Sequence, residues 1–172
     1  MEYRANKRAS FTTLELTKSI DNVADRFPVL VNGKDKAGEF FRKNFAGLFA
    51  YVQNRIPEIT DELYKIDDAM RAGYGWEHGP FQIWDAVGVE KGIELMKAEG
   101  YEVASWVSEM VSSGKNSFYT VKEGSTFYYD IPKKEFVKKP GQDGFIILDN
   151  IRESKQVFKN SGVVVEDLGD GV

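Results

Sequence analysis

The sequence predicts a mainly α-helical fold with a small β-hairpin extension on its C-terminal side. Three observations predict it. From Ala37 to Ile56 apolar residues recur at the spacing of one helix face. Glycine closes four successive helical patterns, at Gly73, Gly88, Gly100 and Gly114, where a left-handed cap is cheap only for glycine. After Gly114 the pattern changes to short β-branched and aromatic runs.

The elements follow in order. Leu14 to Val23 spaces Leu14, Ile20 and Val23 for a short helix behind the cap candidates Thr12 and Thr13, and Pro28 with Asn32-Gly33 is expected to break the chain. The next helix starts at Asp35 as N-cap and buries Phe40, Phe41, Phe45, Leu48, Phe49, Val52 and Ile56, with Pro57 ending it near Arg55. Another carries Leu63, Ile66 and Met70 on one side and stops at Gly73. Pro80 suits a first helical turn, where its missing N–H costs nothing; that helix buries Phe81, Ile83, Trp84 and Val87 and ends at Gly88. "VEKGIELMKAEG" and "ASWVSEMVSSG" give two more helices. A hairpin turns at Glu123-Gly124, and "FIILDNIRESKQVF" reads as a strand passing into a helix capped by Asp149. The final "VVVEDLGDGV" is strand-like with no partner in view, so the chain is expected to be a piece of a longer polypeptide.

Composition narrows the function classes. At 172 residues the chain suits one ordinary domain with flanking segments. Cysteine is absent, which removes thiol nucleophiles and thiolate metal sites. The net charge is −4 with both signs interleaved and no basic face, which disfavours a nucleic-acid partner. No apolar run is long enough to span a membrane, and "MEYRANKRAS" lacks a signal-peptide core; a cytoplasmic protein is expected.

The stretch "AGYGWEHGPFQIWDAVG" gathers four glycines, two tryptophans and the lone histidine. His78 beside Glu77 offers an acid–base pair, but neighbours in sequence need not face each other and no nucleophile or metal-ligand spacing accompanies them. A packed or solvated loop histidine is the favoured reading. Glu58, Asp61, Glu62, Asp67 and Asp68 miss the spacing of a calcium loop and fit a solvated helix face. Lysine-rich "KKEFVKK" fits an exposed strand edge. No dinucleotide fingerprint, phosphate loop or nucleophile elbow occurs.

From Asp68 to Gly75 the chain reads Asp-Ala-Met-x-x-Gly-x-Gly, and from Gly79 to Gly88 Gly-Pro-Phe-x-x-x-Asp-x-x-Gly. With Trp84 and Asp85 inside the second half, this resembles the C-terminal helical domain of the 3-hydroxyacyl-CoA dehydrogenases over residues 37–112. The resemblance implies a helical fold of the 6-phosphogluconate dehydrogenase C-terminal-like type. Trp76-Glu77, "SWVSEM" and "SGVVVEDLGDGV" resemble one subgroup, bifunctional dehydrogenase–hydratase chains, in which a second helical domain precedes an enoyl-CoA hydratase domain. The organisation implied is a linker and short helix at 1–34, the helical domain at 35–114, a β-containing extension at 115–160 and the start of a truncated hydratase-like domain at 161–172.

The resemblance also implies what this copy lacks. An active copy carries an asparagine in an Asn-Arg-Leu-Leu-x-Pro-Tyr pattern on its first helix. Tyr51 matches the tyrosine, Phe45 stands at the asparagine, and Asn44 is one residue off, about 100° round the helix. The family's catalytic histidine and its NAD site belong to a dinucleotide-binding domain. The chain is therefore expected to be a degenerate second copy: no catalytic residue beyond Asn44 as a candidate, no cofactor or metal of its own, and NAD in the parent enzyme. Its expected partners are the parent's other domains and, through them, acyl-CoA, with a homodimer left open. Two alternatives stay open: Asn44 contributing directly to an acyl-CoA site, or a free-standing dimerisation module. Asp85 is expected to accept backbone N–H groups of the Gly-Pro-Phe turn.

Overall fold

The computed structural model describes residues 10–160 and 162–169. Among them are eight helices and five strands in two compact units, one ending at Asn116 and the other beginning at Ser117. The fold is mainly α with a small antiparallel hairpin region. Among the described residues no helix is long and apolar enough to cross a membrane.

The helical unit holds α1 (Thr12–Thr17), α2 (Val23–Asn32), α3 (Lys36–Asn54), α4 (Leu63–Tyr74), α5 (Pro80–Val87), α6 (Val89–Ala98) and α7 (Ser105–Ser112). The expected helix over Leu14–Val23 is shorter, and the expected break at Pro28 is instead α2, with Pro28 inside it. Asn22 caps it through Ala24 N–H at 3.1 Å. Arg42 donates to the carbonyls of Val31 and Gly33 at its other end. Burial of Leu30 and Val31 and packing on α3 and α5 offset a proline cost of about 3 kcal/mol.

α3 is the central helix. Asp35 is its N-cap, accepting Gly38 N–H at 3.0 Å, and the same carboxylate accepts Thr13 N–H at 2.9 Å and Thr13 Oγ1–H at 2.7 Å. One side chain thus ends the α2–α3 turn and holds α1 to it. The helix stops at Asn54, before the cis Ile56–Pro57 bond. Phe45, Phe49, Val52 and Ile56 are buried as expected, but Phe40 is 60% exposed.

Rings from four helices make one aromatic column. Phe27 of α2 meets Phe45 edge-on at 5.8 Å, and Phe45 stacks on Phe49 at 5.9 Å. Phe49 stacks on Trp84 of α5 at 4.8 Å, and Phe81 joins Trp84 at 6.4 Å and Trp106 of α7 at 6.2 Å. Offset and edge contacts of this kind add about 0.5–1.5 kcal/mol each beyond the area buried.

In the second unit β1 (Tyr119–Lys122), β2 (Ser125–Asp130) and β3 (Glu135–Lys138) form an antiparallel sheet in that order, with β3 a lysine-bearing edge. Glu123 and Gly124, at φ 49° and 72°, make the left-handed two-residue turn the hairpin needs. The strand expected at 145–148 is absent. α8 (Leu148–Lys155) starts from Ile147, with Asp149 inside its first turn and not at the cap. β4 (Gln156–Lys159) then pairs antiparallel with β5 (Val164–Glu166). The strand in "VVVEDLGDGV" therefore has a partner, which sequence periodicity had assigned to the end of a helix; Asp170 to Val172 lie outside the described residues.

Candidate functional site

The Gly-Pro-Phe motif builds the junction of α4 and α5. α4 ends at Gly75, in the left-handed region at φ 67°, two residues beyond the expected stop at Gly73. Gly79 is the N-cap of α5, Pro80 its first residue, and Gln82 reaches back so that its Oε1 accepts Gly79 N–H at 2.9 Å. Pro80, Phe81 and Trp84 are buried.

The carboxylate at this junction is Asp67. It is 1% exposed, and its Oδ1 accepts Phe81 N–H at 2.9 Å while Oδ2 accepts Gln82 N–H at 3.2 Å. Asp85, expected to bond the turn, is the sixth residue of α5, and the acceptor at the Phe81 and Gln82 N–H groups is Asp67. Asp67 lies between Leu63 and Met70 on the apolar stripe of α4, and a carboxylate on such a stripe was the signal for it. Gly79 is required by space: a Cβ there would sit 2.3 Å from Asp67 Cβ and 2.4 Å from Asp67 Cα. Gly88 ends α5, and Trp84 Nε1–H donates to Val89 O at 3.1 Å. Asp68, the other acid of the motif, lies 4.0 Å from Arg71.

His78 and Glu77 do not form a working pair. His78 Nε2 is 3.9 Å from Glu77 Oε1, beyond hydrogen-bonding distance, and it is buried without a hydrogen-bond partner. The imidazole packs edge-on against Phe27 at 6.0 Å. Among the described residues no group of three His, Cys, Asp or Glu could hold a metal ion.

On α3 the two residues weighed against the expected asparagine part ways. Phe45 is 7% exposed inside the aromatic column, whereas Asn44 is exposed. Gln53, unmarked by the sequence, is fully buried: Nε2–H donates to Glu102 O at 2.8 Å, Oε1 accepts Ala104 N–H at 2.9 Å, and its carbonyl accepts Trp106 Nε1–H at 3.2 Å. It ties the chain before α7 to α3.

A groove of about 430 Å³ runs between α3 and α4 and includes Leu48, Val52, Ile66, Met70 and Pro80 in its lining. Tyr51, Arg55 and Lys65 also line it. The Arg55 guanidinium lies 4.9 Å from the Tyr51 ring centroid and pairs with Glu58 at 2.7 Å; Lys65 pairs with Glu62. Arg55 Nε is buried without a hydrogen-bond partner. The hydrogen bond and charge of Glu62 push the Lys65 ammonium above its ordinary pKa, so it stays charged.

Comparison with known proteins gives these shapes a context. The family described as 3-hydroxyacyl-CoA dehydrogenase, C-terminal domain, matches residues 48–129, from the middle of α3 into β2. A probable 3-hydroxyacyl-CoA dehydrogenase of Bacillus subtilis is 32% identical over 173 residues, which covers 100% of this chain and 22% of the relative. A putative fatty acid oxidation complex trifunctional enzyme of Rickettsia prowazekii is 25% identical over 131 residues, 76% of this chain and 15% of its own. One of the same description from Rickettsia felis is 37% identical over 46 residues. The chain therefore spans less than a quarter of the length of each of these relatives. No solved structure matches.

Proposed function

Residues 48–129 belong to the 3-hydroxyacyl-CoA dehydrogenase C-terminal domain family, and on that premise we propose that the chain is the central, non-catalytic helical domain of a fatty acid β-oxidation enzyme. The parent oxidises 3-hydroxyacyl-CoA with NAD and hydrates enoyl-CoA. The domain packs beside a catalytic helical copy and joins it to the hydratase.

The observation that carries this reading is Phe45. At the position where the resemblance places a substrate-contacting asparagine stands a buried ring between Phe27 and Phe49, and the neighbouring Asn44 is exposed on another side of α3. A phenyl ring there supplies packing and no hydrogen bond. Every strand pairing among the described residues is antiparallel, unlike the parallel sheet whose crevice receives a dinucleotide, which supports placing NAD outside this domain. NAD is therefore assigned to the parent's other domain.

Support for inter-domain packing comes from the second unit. Among the described side chains of α8 and β4 none is buried, and Phe145, Ile146, Val157 and Phe158 are each more than half exposed. Apolar surface of that density marks an interaction face. It fits the proposal that residues 161–172 open a hydratase-type domain.

The test is Asn44→Ala in the full-length polypeptide that the proposal requires. Dehydrogenase kcat and KM stay at the parent values if this copy is non-catalytic. A fall in kcat of a hundredfold or more would assign Asn44 to the acyl-CoA site and end the proposal.

A further inference from the structure

We propose that Asn32-Gly33, at the turn from α2 into α3, is a self-modification site: the Gly33 backbone nitrogen attacks the Asn32 carboxamide, and the isoaspartate that results loosens the clamp between α1, α2 and α3. The site stands apart from the domain's place in any parent enzyme, since only this turn builds it.

Asn32-Gly33 is the one Asn-Gly pair of the chain, and a glycine has no side chain to shield its backbone nitrogen. Asn32 is exposed at the end of α2, whereas Asn22, Asn54, Asn150 and Asn160 each hold an amide group in a hydrogen bond. The Gly33 N–H bond to Leu30 O is 3.4 Å long, beyond the usual range of about 2.7–3.2 Å, so little is lost when that nitrogen turns to attack. A cleft of about 570 Å³, lined by Thr12, Leu16, Val29 and Asn32 among others, has room for water beside the bond. Gly33 N gives up its proton and bonds to Asn32 Cγ as the Cγ–Nδ2 bond breaks and ammonia leaves, closing a succinimide ring. Water opens the ring at either carbonyl, to aspartate or to isoaspartate, whose main chain is longer by a carbon.

The turn is built so that this change is felt. A Cβ at Gly33 would lie 2.2 Å from Thr13 Oγ1, and one at Gly38 would lie 2.1 Å from Gly33 O, so the glycine is held between α1 and α3. Gly33 O also accepts from Arg42 of α3. An added main-chain carbon moves Gly33 out of register with Thr13, Gly38 and Arg42. The new carboxylate also sits at the C-terminal end of α2, where negative charge is unfavourable.

The 172-residue chain is aged in mildly alkaline buffer, digested with trypsin and compared with a zero-time digest by mass spectrometry and by isoaspartyl methyltransferase labelling. The peptide from Phe27 to Lys34 is expected to gain the amide-to-acid mass and the label ahead of the peptides that carry Asn116 and Asn160. The urea midpoint read by tryptophan fluorescence falls in the modified fraction. Asn32→Gln ages without either change. Asn32→Asp adds the charge but no main-chain carbon, and unfolds closer to fresh wild type than the isoaspartate fraction does. A peptide that stays unmodified in the folded chain overturns the proposal, even where the urea-unfolded chain modifies it. So does a modified fraction that unfolds at the fresh midpoint, ageing that proceeds unchanged in Asn32→Gln, or an Asn32→Asp midpoint as low as that of the isoaspartate fraction.

Discussion

Replacing Asp67 with alanine is the sharpest perturbation of the helical unit. Its two oxygens accept Phe81 N–H at 2.9 Å and Gln82 N–H at 3.2 Å from a site that is 1% exposed. Asp67→Ala leaves two first-turn donors of α5 without that acceptor in a place water does not reach. Hydrogen bonds to a charged group contribute about 1.5–3 kcal/mol each, so the two together stabilise the unit by at least about 3 kcal/mol. That is a large part of the 5–15 kcal/mol typical of a whole domain. For a unit of this size it lowers Tm by roughly 12–24 °C, at about 4–8 °C per kcal/mol. Asp67→Asn keeps one acceptor oxygen and turns an NH2 toward a donor, so it falls between alanine and wild type. All three tryptophans, Trp76, Trp84 and Trp106, lie before Asn116, so tryptophan fluorescence in a urea titration reports this unit alone. A change below about 0.5 kcal/mol for Asp67→Ala, the range of ordinary surface substitutions, refutes the reasoning, as does unaltered hydrogen-exchange protection at Phe81 and Gln82.

Three further outcomes are expected. A methyl added at Gly92 would lie 2.1 Å from Trp84 Nε1; Gly92→Ala costs about 1–3 kcal/mol by overpacking and shifts the tryptophan emission, and an unchanged melt contradicts the packing. Gln53→Met strands Ala104 N–H and Glu102 C=O, for a loss of about 1–3 kcal/mol per unmet group in the same urea assay; a neutral result shows the tie is idle. The Asp35 carboxyl is held at about 2, below its ordinary 3.8, first by the Thr13 hydroxyl, then by Thr13 N–H and Gly38 N–H. Because the folded pKa is the lower one, its contribution is complete above about pH 4 and is lost as pH falls toward 2. Asp35→Asn should flatten the difference between urea midpoints at pH 5 and pH 3, and an unaltered difference removes Asp35 from the acid response.

Helix ends marked by their own chemistry were legible from residues alone. Pro80 cannot sit comfortably deep in a helix, and Gly88, Gly100 and Gly114 all take positive φ at helix ends. The Glu123-Gly124 turn was equally plain. Where two glycines competed, composition could not decide: Gly73 continues α4, and Gly75 alone adopts the left-handed cap. Pro28 misled because its local cost is real and is offset only by α2 packing on α3 and α5, contacts that lie outside any local window. Phe40 reads as core by spacing, yet it falls at the edge of the stripe and is exposed. β4 was hidden because "QVFK" continues a helical run without a break, and only its pairing with β5 makes it a strand. At the α4–α5 junction the motif glycines, the proline and the aromatics were all visible. Asp67, the acid that caps α5, reads with a solvated helix face unless its place on the apolar stripe of α4 is weighed, and it is 1% exposed. Asp67 and Asp85 both lie near the turn in sequence, and only the crossing of α4 past α5 brings Asp67 to the N–H groups.

The central claim is that this helical copy does its work by packing, with Phe45 as core. Purified 172-residue chain mixed with NAD and 3-hydroxybutyryl-CoA, followed at 340 nm, tests it most directly. The expected result is no NADH formation above the blank, with no quenching or enhancement in an NADH fluorescence titration. Turnover that disappears in Asn44→Ala would contradict it.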